Sequence, residues 1–152
     1  MLSSVMMGLV GGQRAMTPLA AVAVAAASGR LPADNGASRL LSHPIVAAGA
    51  VALAVAEIAG DKQGTAPDRT VPAGLAARLV TSAIAGAALA PRRQRWLGAA
   101  VGGLTALVAA YPGLRARLTA MSRGGQASTG FLEDAVVVTG AAAIVWNKAA
   151  RG

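Results

Sequence analysis

Residues 2–28 read LSSVMMGLVGGQRAMTPLAAVAVAAAS, 27 residues with one charge, Arg14. About 20 apolar residues suffice to span a bilayer as a helix. This stretch is long enough, but Gly11-Gly12 and Pro18 interrupt it. Glycine pairs and proline are the usual causes of a helix kink. The stretch therefore predicts a membrane helix broken or kinked around Gly11-Gly12 and Pro18. Ala25 and Ala27 imitate a signal-peptide cleavage pattern. No positive region precedes them, and Arg14 and Pro18 interrupt the apolar run, so that reading fails.

Four further apolar segments follow: Pro44–Gly60, Pro72–Ala90, Trp96–Tyr111 (stopping at Pro112-Gly113) and Phe131–Trp146. Ser42 is the expected N-cap of the second segment, with Pro44 in its first turn. Trp96 and Tyr111 bracket the fourth segment, and Phe131 and Trp146 the fifth, as interfacial aromatics do. Gly8/Gly12 and Gly98/Gly102 have the G-x-x-x-G spacing that lets helices approach closely in lipid. The expectation is all-α: one integral-membrane domain over residues 1–152, with about five transmembrane segments and a broken first helix.

Composition agrees. Of 152 residues, 55% are hydrophobic and only 13% charged, with 19 glycines and 3% aromatics. A soluble domain is usually about 25% charged. Burying nearly every face of five such helices in water is beyond a chain this size. The net charge of +8 would suggest nucleic acid in a polar chain. Here the basic residues sit between apolar runs, where anionic lipid headgroups attract them, so nucleic acid is not an expected partner. There are no cysteines, which excludes disulfides, thiolate metal sites and cysteine nucleophiles. The one histidine, His43, reads as a helix-start residue. No nucleophile or cofactor motif marks an enzyme.

Alternating five crossings puts Lys62, Arg69, Arg115, Arg117 and Arg123 on the side of the N-terminus. Arg30, Arg39, Arg92, Arg93, Arg95, Lys148 and Arg151 fall on the other. Lys/Arg bias sets orientation, and here it is nearly even. A chain without bias can insert both ways and pair as an antiparallel dimer, so a homo-oligomer is expected. A single orientation fixed by Arg92, Arg93 and Arg95 weighs slightly more than dual insertion.

The acids are less evenly spread. Glu57 and Asp61 close the second segment, and Glu133 and Asp134 open the fifth, all towards one membrane face. Glu57 and Asp61, at i,i+4, share a helix face. Arg14 lies near the middle of the first segment, and Arg78 two turns into the third. Ionisable groups inside a membrane are costly and mark pathways or binding sites. Arg14, Glu57, Asp61, Glu133 and Asp134 are the candidate ion-binding residues, supported by Gly11, Gly12, Lys62 and Arg78. Glu57 and Asp61 would offer oxygen ligands to a divalent cation, the one bound group expected. The bland alternative is a structural ion-pair network in which Arg14, Lys62 and Arg78 neutralise the acids. Glu133 and Asp134 also suit the first turn of a helix as favourable acids.

The segments GGQRAMTPLA, EIAGDK, TAPDRTVPAGLAARLVTSAIAGAAL and FLEDAVVV, in this order, resemble a bacterial membrane-protein family catalogued as domain of unknown function 4126. The resemblance covers nearly the whole chain. It implies a small, multi-pass helical protein of the bacterial inner membrane and no particular activity. EIAGDK by itself resembles the Glu-x-Gly-Asp signature of manganese and calcium/proton exchangers. Here Glu57 and Asp61 are one residue further apart than in that signature, and Gln63 stands where Thr or Ser is expected. The signature also occurs once, where the exchangers carry two inverted copies. The leading expectation is transport of a small ion, with divalent cation/proton exchange favoured. The alternative is a non-transporting assembly or lipid-organising protein.

Overall fold

The computed structural model describes residues 1–60, 71–124 and 126–150, without the side chains of 116–118 and 120–131. Every regular element among them is a helix: α1 (Leu2–Gln13), α2 (Met16–Ala27), α3 (Pro44–Gly60), α4 (Pro72–Leu89), α5 (Arg95–Gly124) and α6 (Gln126–Ala149). Short 3-10 turns at Arg39–Ser42 and Arg92–Gln94 precede α3 and α5.

The first apolar stretch is broken between Gly11-Gly12 and Pro18, as expected, but its two pieces do not run on in one direction. It is a hairpin of two three-turn helices that reverses at Arg14. The backbone of Arg14 is extended (φ −137°, ψ 118°), which ends α1, and α2 starts two residues on. Neighbours along the bundle fix the directions. At the start of α1, the Ser4 hydroxyl donates to the carbonyl of Gly86, near the end of α4. At its finish, the Gly12 carbonyl accepts from Arg78, near the start of α4. Helix α1 thus runs antiparallel to α4. Helix α2 begins at the Arg78 level, where the Ala15 carbonyl accepts from Thr81. It ends beside the 28–43 segment, which is tied to the far end of α4: the Gly36 amide donates to the Ala90 carbonyl, and Asn35 pairs with Pro91. Pro18 and the glycine pair do not break a helix here. Pro18 is the third residue of α2, where an N–H has no intrahelical acceptor.

The glycines decide how closely α1, α4 and α5 pack. A Cβ on Gly8 would lie 2.5 Å from the Gly102 carbonyl oxygen, and one on Gly102 2.5 Å from that of Ser82. Both G-x-x-x-G pairs therefore sit at backbone contacts. Helices α4 and α5 are antiparallel neighbours, and α1 lies along both. Helix α2 packs on α3 and α4, while α6 closes the bundle against α1, α2 and α5.

Other expectations need correction. Helix α5 does not stop at Pro112-Gly113 but continues to Gly124. Proline removes one N–H and crowds the preceding turn. Helix α1 lies beside the helix at that defect, with Gly113 against the Gln13 side-chain amide. Ser42 belongs to the 3-10 turn, and the side chain that accepts from the first turn of α3 is His43, whose Nδ1 takes the Ile45 amide at 3.3 Å.

The interior of the bundle is built mostly from alanine and small polar side chains. Large apolar residues instead cover the outside, including Leu2, Leu9, Ile45, Leu53, Val55, Trp96, Leu104, Val108, Leu132, Val136 and Trp146. Two helical stretches, Pro72–Leu89 and Arg92–Arg115, are long and apolar enough to cross a membrane. Helices α2 and α3 are apolar but shorter.

Candidate functional site

The hairpin tip gathers the charged residues. Arg14, at the reversal, is 2% exposed, and its guanidinium donates to Asp134 Oδ1 of α6 at 2.5 Å. Glu57 of α3 accepts from the two amides that follow Arg14, Ala15 N on Oε1 and Met16 N on Oε2, each at 2.8 Å. These are among the first N–H groups of α2, which no carbonyl within the helix can satisfy. A carboxylate there also meets the positive end of the helix dipole.

Arg78 treats α1 in the opposite sense. Its Nε donates to the Gly12 carbonyl at 3.3 Å and its NH1 to the Gly74 carbonyl at 3.1 Å. The carbonyls of a last helical turn lack partners and carry the negative end of the dipole. Helix α1 has no basic residue in its own last turn, and Arg78 supplies one from α4. Each broken end of the hairpin is thereby capped by the opposite charge from a neighbouring helix.

Three hydroxyls border the tip. Thr81 Oγ1 lies 2.6 Å from the Ala15 carbonyl oxygen and 2.8 Å from that of Ala77, so its one proton can go to either. Ser82 Oγ lies directly under Gly11, where any side chain on Gly11 would collide with it. Among the described residues, Ser82 Oγ and Thr17 Oγ1 are buried without a hydrogen-bond partner. An unsatisfied buried hydroxyl costs about 1–3 kcal/mol, so these two oxygens are poised to take one.

Of the expected site residues, the fold brings together Arg14, Glu57, Asp134, Arg78, Gly11 and Gly12. Glu133 is half-buried on α6 beside Asp134. Asp61 and Lys62 lie outside the described residues. Among the described residues, no group of three potential metal ligands gathers, and both oxygens of Glu57 hold backbone amides. Thr17, Thr81 and Ser82 were not legible as site residues in the sequence. The only hint was their place on otherwise alanine-rich helices near Arg14 and Arg78.

The fold and the site define an all-helical bundle built around a charge-capped hairpin. No family model, curated protein or solved structure matches the chain.

Proposed function

We propose that this is a small polytopic membrane protein that moves a small cation or proton at the hairpin tip. In this reading α3, α4, α5 and α6 cross the bilayer, and α1–α2 enters from one side and turns back at Arg14. The apolar outside and alanine-rich inside support a lipid-facing surface. A bacterial inner-membrane location is part of this reading, as the sequence resemblance to domain of unknown function 4126 implies. The shorter helices need flanking residues or local thinning of the bilayer.

One observation carries the transport reading: the Arg14–Asp134 pair is buried where a helix is broken. Discontinuous helices at depth are how many transporters build their sites. Asp134 is the exchangeable group. A cation or proton arriving there competes with Arg14. Glu57 and Arg78 hold the hairpin while that exchange takes place. A divalent cation exchanged for protons remains the favoured cargo, since oxygen ligands suit hard ions.

A second reading has its own observation. Both broken helix ends are already capped, by Glu57 and by Arg78. The charges could then serve assembly alone, in a protein that organises lipid or partners. Flux assays in proteoliposomes separate the two. Transport predicts proton-coupled uptake of manganese or calcium by the wild type, lost in Asp134→Asn. Wild-type vesicles no leakier to these ions or to protons than empty ones would end the transport reading.

A further inference from the structure

We infer that the groove between α2, α3 and α6 binds one acyl chain of an anionic phospholipid, with the headgroup at Arg30. This rests on the membrane reading but not on transport. Helices α3 and α6 both pack on α2 but form no substantial contact with each other. The gap between them is a groove of about 380 Å³, floored by Ala20, Ala21 and Ala25 and walled by Val55, Val138 and Val145.

Its dimensions select the occupant. It follows α2 from Thr17 to Ser28, about 16 Å at the helical rise of 1.5 Å per residue. That is close to the roughly 15 Å depth of one leaflet's hydrocarbon. An apolar groove of that length, lying along α2, suits a chain-shaped guest.

Charge fixes the orientation. Among the described residues, Arg30 is the one charged side chain lining the groove, and it stands at one end. Its guanidinium lies 5.7 Å from the Trp146 ring centroid, within cation–π range. Gly29 (φ +65°) puts it there: α2 ends in a left-handed turn, with Gly29 N donating to the Ala26 carbonyl and Arg30 N to that of Ala25. A second hollow, lined by Gly29, Arg30, Leu31 and Trp146, continues past the same pair. An exposed tryptophan and an arginine beyond an acyl-sized groove match a phosphate headgroup at the interface.

Trp146 is a built-in reporter. The Trp96→Phe protein, reconstituted in vesicles, is titrated with phosphatidylglycerol or phosphatidylcholine brominated on the acyl chain. The expected result is saturable quenching of Trp146 by the phosphatidylglycerol. Arg30→Gln should weaken that preference by about fivefold, the worth of one basic residue at an anionic surface. Ala142→Phe, which fills the groove from its exposed wall, should abolish saturable quenching by either lipid. Equal quenching by both lipids in the Trp96→Phe protein, or quenching indifferent to Ala142→Phe, would overturn the proposal. Quenching that falls as protein concentration rises at fixed lipid ratio would assign the groove to a second copy and also overturn it. Extraction of the wild type by alkaline carbonate would instead remove the membrane reading beneath it.

Discussion

At the scale of single residues, the Arg14–Asp134 pair joins two opposite charges in the interior. Removing one partner of a buried pair leaves an uncompensated charge and costs about 3–5 kcal/mol. Asp134→Asn is therefore expected to lower thermal stability in detergent by that amount. The double variant Arg14→Met/Asp134→Leu should recover most of the loss, because no charge is stranded. Equal melting temperatures for Asp134→Asn and wild type would show that the pair carries no such weight. Glu57→Gln should be milder, about 1–3 kcal/mol. Its amide oxygen still accepts one N–H of α2, but its NH2 group faces the other. A Glu57→Gln protein that melts with the wild type would remove Glu57 as the cap of α2.

At the scale of elements, glycine decides which helices touch. Gly86 and Gly102 sit where α4 and α5 bring backbone against backbone. A methyl group there must push the helices apart, and overpacking of this kind typically costs about 1–3 kcal/mol. Gly49, in the middle of α3, faces open space. There alanine should stabilise by about 0.4–1 kcal/mol through helix propensity and reduced unfolded-chain freedom. Thermal melts of Gly102→Ala and Gly49→Ala should therefore shift in opposite directions. A destabilised Gly49→Ala would mean that a partner covers that face of α3. Part of this contrast was legible: Gly102 stands in a G-x-x-x-G pair with Gly98 and Gly49 in none, but only the fold shows which backbone Gly102 meets.

At the scale of the whole molecule, the hairpin changes which end of the bundle holds the N-terminus. Five simple crossings would put Leu2 opposite Arg93 and Lys148. With α1–α2 folded back, Ser4 lies at the Gly86 end of α4, the end that leads into Arg92 and Arg93. Single cysteines can be placed freely in this cysteine-free chain. Cysteines at positions 3 and 93 should be labelled from the same side of sealed vesicles. Labelling from opposite sides would restore the five-crossing topology. The Lys/Arg bias stays close to even, because the hairpin leaves Arg30 and Arg39 on the side of Arg92 and Arg93, and the buried Arg14 and Arg78 anchor neither face. A dual-inserting, antiparallel dimer remains the proposal that matches it, and labelling each position from both sides in equal amounts is its signature.

What the sequence determined by itself was local. Apolar runs that open at a proline set the starts of α3 and α4, since hydrophobic length and helix-start chemistry are properties of consecutive residues. The cost of charge in an apolar setting marked Arg14, Glu57, Arg78 and Asp134 before any contact was known. Only tertiary structure decided that the first stretch reverses. The reversal depends on Glu57, 42 residues on, taking the Ala15 amide, and on Asp134, 120 residues on, taking Arg14. A helix break is stable only when its freed backbone groups find partners; here those partners come from α3 and α4, while α6 holds the Arg14 side chain.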